Sequence, residues 1–181
     1  MAELFKTTAD LVAVLECPKF LVLPCSWTPP NADVGQRRST IRASLTDGRS
    51  TIQGIGLRME CNPEGFALPV AVVLTAEYKG RPRAIARVDI NGQKHENRHA
   101  VCGSLQFTDA GVTHFHDTSL HAHIEISELL GGSLGDLPIA RPIGDMPEDF
   151  SKAMEKCGEL LHISNLTEIE EPQWQPRQFP F

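Results

Sequence analysis

Six of the seven histidines in this 181-residue sequence fall between positions 95 and 123: His95, His99, His114, His116, His121 and His123. Two pairs have the spacing His-x-His, namely His114-Phe115-His116 and His121-Ala122-His123. In an extended strand, residues i and i+2 point to one face, so each pair sets two imidazoles side by side. If the two segments pair across Asp117–Leu120, all four rings converge. Neutral imidazole ligates zinc, copper, nickel and iron, so His114, His116, His121 and His123 are one candidate set for a divalent transition metal. No His-Glu-x-x-His helix and no cysteine spacing supports that set.

The alternative chemistry, which the sequence favours, needs no cofactor. Histidine titrates near neutrality, so paired histidines can serve as base and acid on a phosphodiester. A guanidinium then stabilises the charge that develops on the phosphoryl oxygens. Arg87 and Asp89 alternate on one face of the segment that leads into the histidines. The catalytic candidates are therefore Arg87, Asp89, His95, His114 and His116. His114 and His116 would be acid and base, Arg87 would hold phosphate, and Asp89 would orient a histidine or Arg87. From Lys79 to Arg98 there are six Lys/Arg against the acids Asp89 and Glu96, a basic stretch suited to a phosphate backbone. The plain alternative is an Arg87–Asp89 ion pair at a sheet edge, with histidines that merely satisfy backbone carbonyls.

These residues must be placed by their elements. Thr7-Thr8-Ala9-Asp10 reads as a capping box opening a helix from about Thr8 to Glu16, which Pro18 stops. Phe20–Leu23 reads as a short strand. Alternation over Ile41–Leu45 and Ile55–Cys61, with Asp47-Gly48 between, predicts a hairpin, and Gly54 and Gly56 suggest a bulge. Turn signals at Asn62–Gly65 and Lys79–Pro82 bound a central strand, Leu68–Tyr78, and Arg83–Ile90 follows it. Gly103–Phe107, Val112–His116 and His121–Ile126 read as short extended pieces. Asp145 and Pro147 predict a helix start, and Phe150, Met154, Cys157 and Leu161 form its buried stripe. The expected fold is α+β, mainly an antiparallel β-sheet with an N-terminal helix and a longer C-terminal helix packed on one face. The chain reads as one domain, 1–181, with an acidic tail from about 166, where Trp174 and Phe179 suggest docking.

Charge is uneven: residues 1–100 carry +3 and residues 101–181 carry −9, for a net −6. Five scattered cysteines without a CxxC pair argue against a disulfide framework, and no signal or membrane-spanning segment is evident. The expectation is a soluble cytoplasmic protein that does not enter a membrane. The half-apolar strands leave room for a sheet-edge homodimer.

Arg87-Val88-Asp89, then His95-Glu96-Asn97, then His114-Phe115-His116, then a helix ending near Ile163-Ser164-Asn165, resembles a family of small uncharacterised proteins of bacteria, mobile elements and phages. The pattern is Arg-x-Asp, His-x-Asn and His-x-His, over the part of the chain from Val70 onward. It is also distantly similar to the ribonuclease toxins of toxin–antitoxin pairs. The resemblance implies Arg87, Asp89, His95, Asn97, His114 and His116 as functional positions. His121-Ala122-His123 and the acidic tail depart from the pattern. Two expectations follow: an enzyme acting on RNA phosphodiesters, or a non-catalytic phage or mobile-element inhibitor. The inhibitor would bind a basic host defence protein through an acidic surface that includes Glu168, Glu170 and Glu171.

Overall fold

The period-two pattern of the middle of the chain forms a meander of antiparallel strands. In this computed structural model, residues 5–30, 38–62, 69–132, 134 and 137–173 are described. The sequence-predicted features at Pro63–Gly65, Leu68, Trp174 and Phe179 lie outside the described residues.

Helix α1 spans Thr8–Glu16. Its capping box is formed: Asp10 N–H donates to Thr7 Oγ1 at 3.2 Å, and Thr7 N–H donates to Asp10 Oδ2 at 2.9 Å. Its far end is closed by Lys19, which is fully buried. Lys19 Nζ donates to the carbonyls of Val14, Leu15 and Cys17 at 2.8, 2.7 and 2.6 Å. Burial draws its pKa down to about 8, so it stays charged at neutral pH with every ammonium hydrogen placed on an acceptor.

Strands β1 (Phe20–Leu21), β2 (Ser39–Thr46), β3 (Thr51–Cys61), β4 (Val70–Tyr78) and β5 (Arg81–Ile90) follow. Next come β6 (His95–Glu96), β7 (Asp109–Gly111), β8 (His114–His116), helix α2 (Ile126–Leu129), β9 (Arg141–Pro142) and helix α3 (Phe150–Leu161). One seven-stranded sheet has the order β1-β2-β3-β4-β5-β8-β9, and β6 pairs with β7 apart from it. Every pairing of named strands is antiparallel. The fold is α+β, as the patterning predicts.

Local chemistry explains the joints. Asp47 Oδ1 accepts the N–H groups of Arg49 and Ser50, both at 2.8 Å, and so closes the β2–β3 turn. The register slips between Ser44 and Thr46, alongside Gly54 at φ +71°. Lys79 and Gly80 both have positive φ, 50° and 73°, as a two-residue hairpin turn requires. That tight turn starts β5 at Arg81, earlier than alternation alone places it.

The register sorts the two faces of the sheet. Ile41, Met59, Val72, Val88 and Phe115 align across β2, β3, β4, β5 and β8, and all are buried. They join one core with Leu11 and Leu15 of α1 and Met154, Cys157 and Leu161 of α3. The predicted stripe of α3 is thus the buried one, each such side chain contributing about 1.5–3 kcal/mol. The opposite face carries Arg87, Asp89, His114 and His116.

Three sequence-predicted elements are corrected. Gly103–Phe107 is not extended: Ala100–Leu105 forms 3-10 turns, broken where Gly103 takes φ 54°. His121–Ile126 is not a strand either. Thr118–His121 is a 3-10 turn capped by Asp117, and α2 begins at Ile126. The last helix begins at Phe150 rather than after Asp145, because Asp149 is the residue whose carboxylate accepts Lys152 N–H, at 2.8 Å.

Candidate functional site

Strand pairing assembles the first four residues of the site. Asp89 lies opposite His114 and Arg87 opposite His116, so all four side chains rise from one face of β5 and β8. The Asn91-Gly92 turn then sends the chain back across this face. Asn91 takes φ 49°, and a Cβ on Gly92 would stand 3.2 Å from that of Asp89, so the turn fits closely only with glycine there. The returning segment brings in His95. Its ring centroid lies 5.3 Å from that of His114 and 4.7 Å from that of His116, while His114 and His116 are 5.0 Å apart. One ligand atom from each of the three rings falls within 4.8 Å of the others.

Each imidazole has one nitrogen committed to a backbone carbonyl. His114 Nδ1 lies 3.0 Å from Gly111 O, and His116 Nδ1 lies 2.6 Å from Leu137 O. His95 Nε2 lies 3.3 Å from Pro138 O and 3.2 Å from Asn97 Oδ1. A carbonyl oxygen only accepts, so each of these nitrogens carries the hydrogen. The other nitrogen of a neutral ring is then a bare lone pair: Nε2 on His114 and His116, Nδ1 on His95.

Asn97 fixes the His95 side of this arrangement. It is fully buried. Its Oδ1 accepts Ala140 N–H at 2.8 Å, and its Nδ2 donates to Thr108 Oγ1 and Ala140 O at 2.8 and 2.9 Å. With every polar atom used, Asn97 ties β6 to the segment ahead of β9. Leu137, which supplies the carbonyl to His116, is a buried non-glycine residue at φ 52°. Such backbone strain is tolerated where the surroundings hold it, and here it aims a carbonyl at an imidazole.

Asp89 is buried, 3% exposed. Arg87 grips it twice: Nη2 donates to Oδ1 at 2.7 Å, and Nε lies 2.7 Å from Oδ2 without hydrogen-bond alignment. Burial alone would raise the Asp89 carboxyl, but His114 and the Arg87 guanidinium outweigh it and hold it below its ordinary value. Oδ2 accepts no hydrogen bond, and it faces His114 Nε2 at 3.3 Å and His116 Nε2 at 3.8 Å. Burial, with the charges of His114 and His95, pushes His116 down to about 3, so its ring is neutral. Desolvation likewise lowers His95. The unbonded Asp89 Oδ2 thus faces two buried imidazole nitrogens, His114 Nε2 and His116 Nε2.

His121 and His123 do not join this group. His121 is fully buried with both nitrogens used: Nδ1 lies 2.8 Å from Asp117 O, and Nε2 accepts Ile139 N–H at 3.1 Å. His123 is exposed, its Nε2 2.8 Å from Val101 O. His99 caps the following 3-10 turn through Val101 N–H. Of the four-histidine set expected from spacing, only His114 and His116 converge, and His95 supplies the third ring. The carbonyls of Gly111, Leu137 and Pro138 had no sequence signal, because any residue offers one.

Three of the six basic residues from Lys79 to Arg98 are paired with acids, Arg87 among them through Asp89. Lys94 pairs with Asp109 at 2.8 Å and Arg98 with Glu96 at 2.9 Å. No helix among the described residues is long and apolar enough to cross a membrane. No protein-family model, curated protein or solved structure matches the chain.

Proposed function

We propose that the protein is a phosphodiester-cleaving enzyme, acting on RNA, whose centre holds a divalent transition metal on His95, His114 and His116, with Asp89 as a further oxygen donor. The observation that carries this reading is the convergence of one ligand atom each from His95, His114 and His116, with the unbonded Asp89 Oδ2 facing two of these rings. A single proton on His114 would satisfy one contact and leave the His116 and His95 nitrogens bare. A cation satisfies all of them at once. Imidazoles held by backbone carbonyls through the opposite nitrogen are the usual outer shell of a histidine metal site. Nitrogen and carboxylate donors suit zinc, iron or nickel better than calcium or magnesium.

A metal ion in this position supplies Lewis acidity and a bound water of lowered pKa. The chain's own groups do the rest. Asp89 stays ionised, and Arg87 fixes its orientation. Arg87 is about one-third exposed (35%) and uses Nε and Nη2 on Asp89, which leaves Nη1 to meet a phosphoryl oxygen. Asn97 and the carbonyls behind each ring hold the imidazoles in one tautomer. This reading is preferred to the metal-free acid–base pair, in which His116, held neutral by burial, would be no acid and only a weak base.

The test is elemental analysis by mass spectrometry of the native protein, together with RNA cleavage. The expected result is about one transition-metal ion per chain, with cleavage lost on chelation and in His116→Ala. A metal-free protein that cleaves RNA, or undiminished cleavage by His116→Ala, would overturn it.

A further inference from the structure

The polar face of the sheet continues well beyond the centre. Following the register from β2 outward, Arg42 lies opposite Arg58, Arg58 opposite Val73, Val73 opposite Arg87, and Arg87 opposite His116. These side chains share one face and form a straight cross-strand row that ends at the histidines. At about 4.8 Å per strand, Arg42 stands roughly 14 Å from Arg87 along the row. Like charges directly opposite across a strand pair destabilise a sheet, yet Arg42 and Arg58 are so placed. Arg42 is exposed and has no ion pair among the described residues, while Arg58 has Glu60 at 3.3 Å. Val73 is buried and lies low between the arginines.

Beside this row runs another of small residues, Ser44, Gly56, Thr75 and Ala84. None of these four side chains is larger than threonine. On the other side, Arg87 and Asp89 form the wall of a cavity of about 290 Å³ that Arg38, Asn62, Asn91 and Gln93 also line. The charged row and the cavity therefore meet at the same Arg87–Asp89 pair, with the row of small residues running alongside.

We infer that this face is the path of a single-stranded polynucleotide, its phosphates lying along Arg42, Arg58 and Arg87 and its scissile bond reaching the histidine centre. The inference rests on the phosphodiester reading above and specifies the substrate: an extended single strand read through its backbone. Charge complementarity singles out a polyanion for this face. The row carries no aromatic side chain, so bases have no stacking platform there, and sequence preference is weak. Glu60 and Asp89 on the same face keep the affinity modest, and salt weakens it further.

The experiment is fluorescence anisotropy with labelled oligouridylate and oligothymidylate across a salt series. It compares the wild type with Arg42→Gln, Arg58→Gln, the double variant, His116→Ala, and Arg49→Gln in the β2–β3 turn as a control. The wild type is expected to bind with a log–log salt slope of about −2, as three phosphate contacts on a single strand give. Each arginine variant on the row reduces the slope by about 0.7, while Arg49→Gln leaves it unchanged. Metal content and circular dichroism of the row variants match the wild type. Binding of both oligonucleotides assigns the row to the shared phosphate backbone, and binding of the ribose form alone assigns it to RNA. No binding of either, or a slope indifferent to Arg42 and Arg58, overturns the inference. Binding that follows the arginines in a protein that never cleaves would sink the enzymatic reading and leave the path standing. His116→Ala, expected to bind but not cleave, separates the two in the other direction.

Discussion

At the scale of single residues, burial divides the histidines into two kinds. His114, His116 and His95 each bring a ligand atom within 4.8 Å of the others. His121 spends both nitrogens on the backbone, donating to Asp117 O and accepting from Ile139 N–H. Burial pushes His121 down to about 4, so its protonation is deferred in the folded protein but proceeds near 6.5 in the unfolded chain. The unfolded state therefore binds more protons between those values, and stability present above pH 6.5 is lost as pH falls towards 4. The loss is on the order of 3 kcal/mol for this residue. His121→Gln, which keeps a donor and an acceptor, is expected to lower stability at pH 7 and to flatten the acid limb. Urea midpoints at several pH values check this, and an unchanged acid limb would count against it. The alternation that makes His114-Phe115-His116 legible as a two-imidazole pair depends on an extended backbone. His121-Ala122-His123 has the same spacing but starts at the end of a 3-10 turn and is not extended, so i and i+2 share no face. Sequence spacing alone cannot tell these apart. Asp117 could, since its side chain accepts Ser119 N–H and so ends the strand.

At the scale of elements, strands were legible where one face is buried and the other is not. β2, β3, β4 and β5 were found within a few residues because each alternates or is wholly apolar. The segments 100–107 and 121–126 are short and lack a period, and side-chain and backbone hydrogen bonds decide their turns. The C-terminal helix shows how competing caps mislead: Asp145 and Asp149 both resemble N-caps, and the one that bonds to the chain three residues on wins. The end of that helix carries a testable constraint. His162 takes φ 54°, and Ile163 N–H turns back to Gly158 O at 2.9 Å. A Cβ on Gly158 would stand 2.7 Å from Ile163 O. In an ordinary helix interior Gly→Ala gains about 1 kcal/mol. Here the clash outweighs that gain, because backbone stands where the methyl would go. Gly158→Ala is expected to destabilise by about 1–2 kcal/mol, the range of overpacked sites. A raised urea midpoint in this variant would show that the helix end can shift.

At the scale of the whole molecule, the proposed centre ties together parts of the chain that lie far apart in sequence. Asp89 and Arg87 come from β5, His114 and His116 from β8, and His95 from β6, which Asn97 holds to the segment ahead of β9. An ion bound there would cross-link a central strand, a short strand near the edge and β6, all of which separate on unfolding. Anything that binds only the folded form stabilises it, by about 2.7 kcal/mol at a hundredfold excess over Kd. For a chain of this size each kcal/mol moves the melting temperature by about 2–4 °C, so the expected gain on adding zinc to chelated protein is roughly 5–10 °C. The gain should vanish in His95→Ala and His116→Ala and persist in His123→Ala, whose ring is exposed and outside the group. A metal-free acid–base site predicts the opposite pattern: chelation leaves the melting temperature untouched, and zinc has no effect that these residues control. Equal gains in wild type and His95→Ala would place the ion elsewhere and remove the third ligand from the centre. The three variants thus decide, without any substrate in hand, whether the converging lone pairs hold a cation or only wait for a proton.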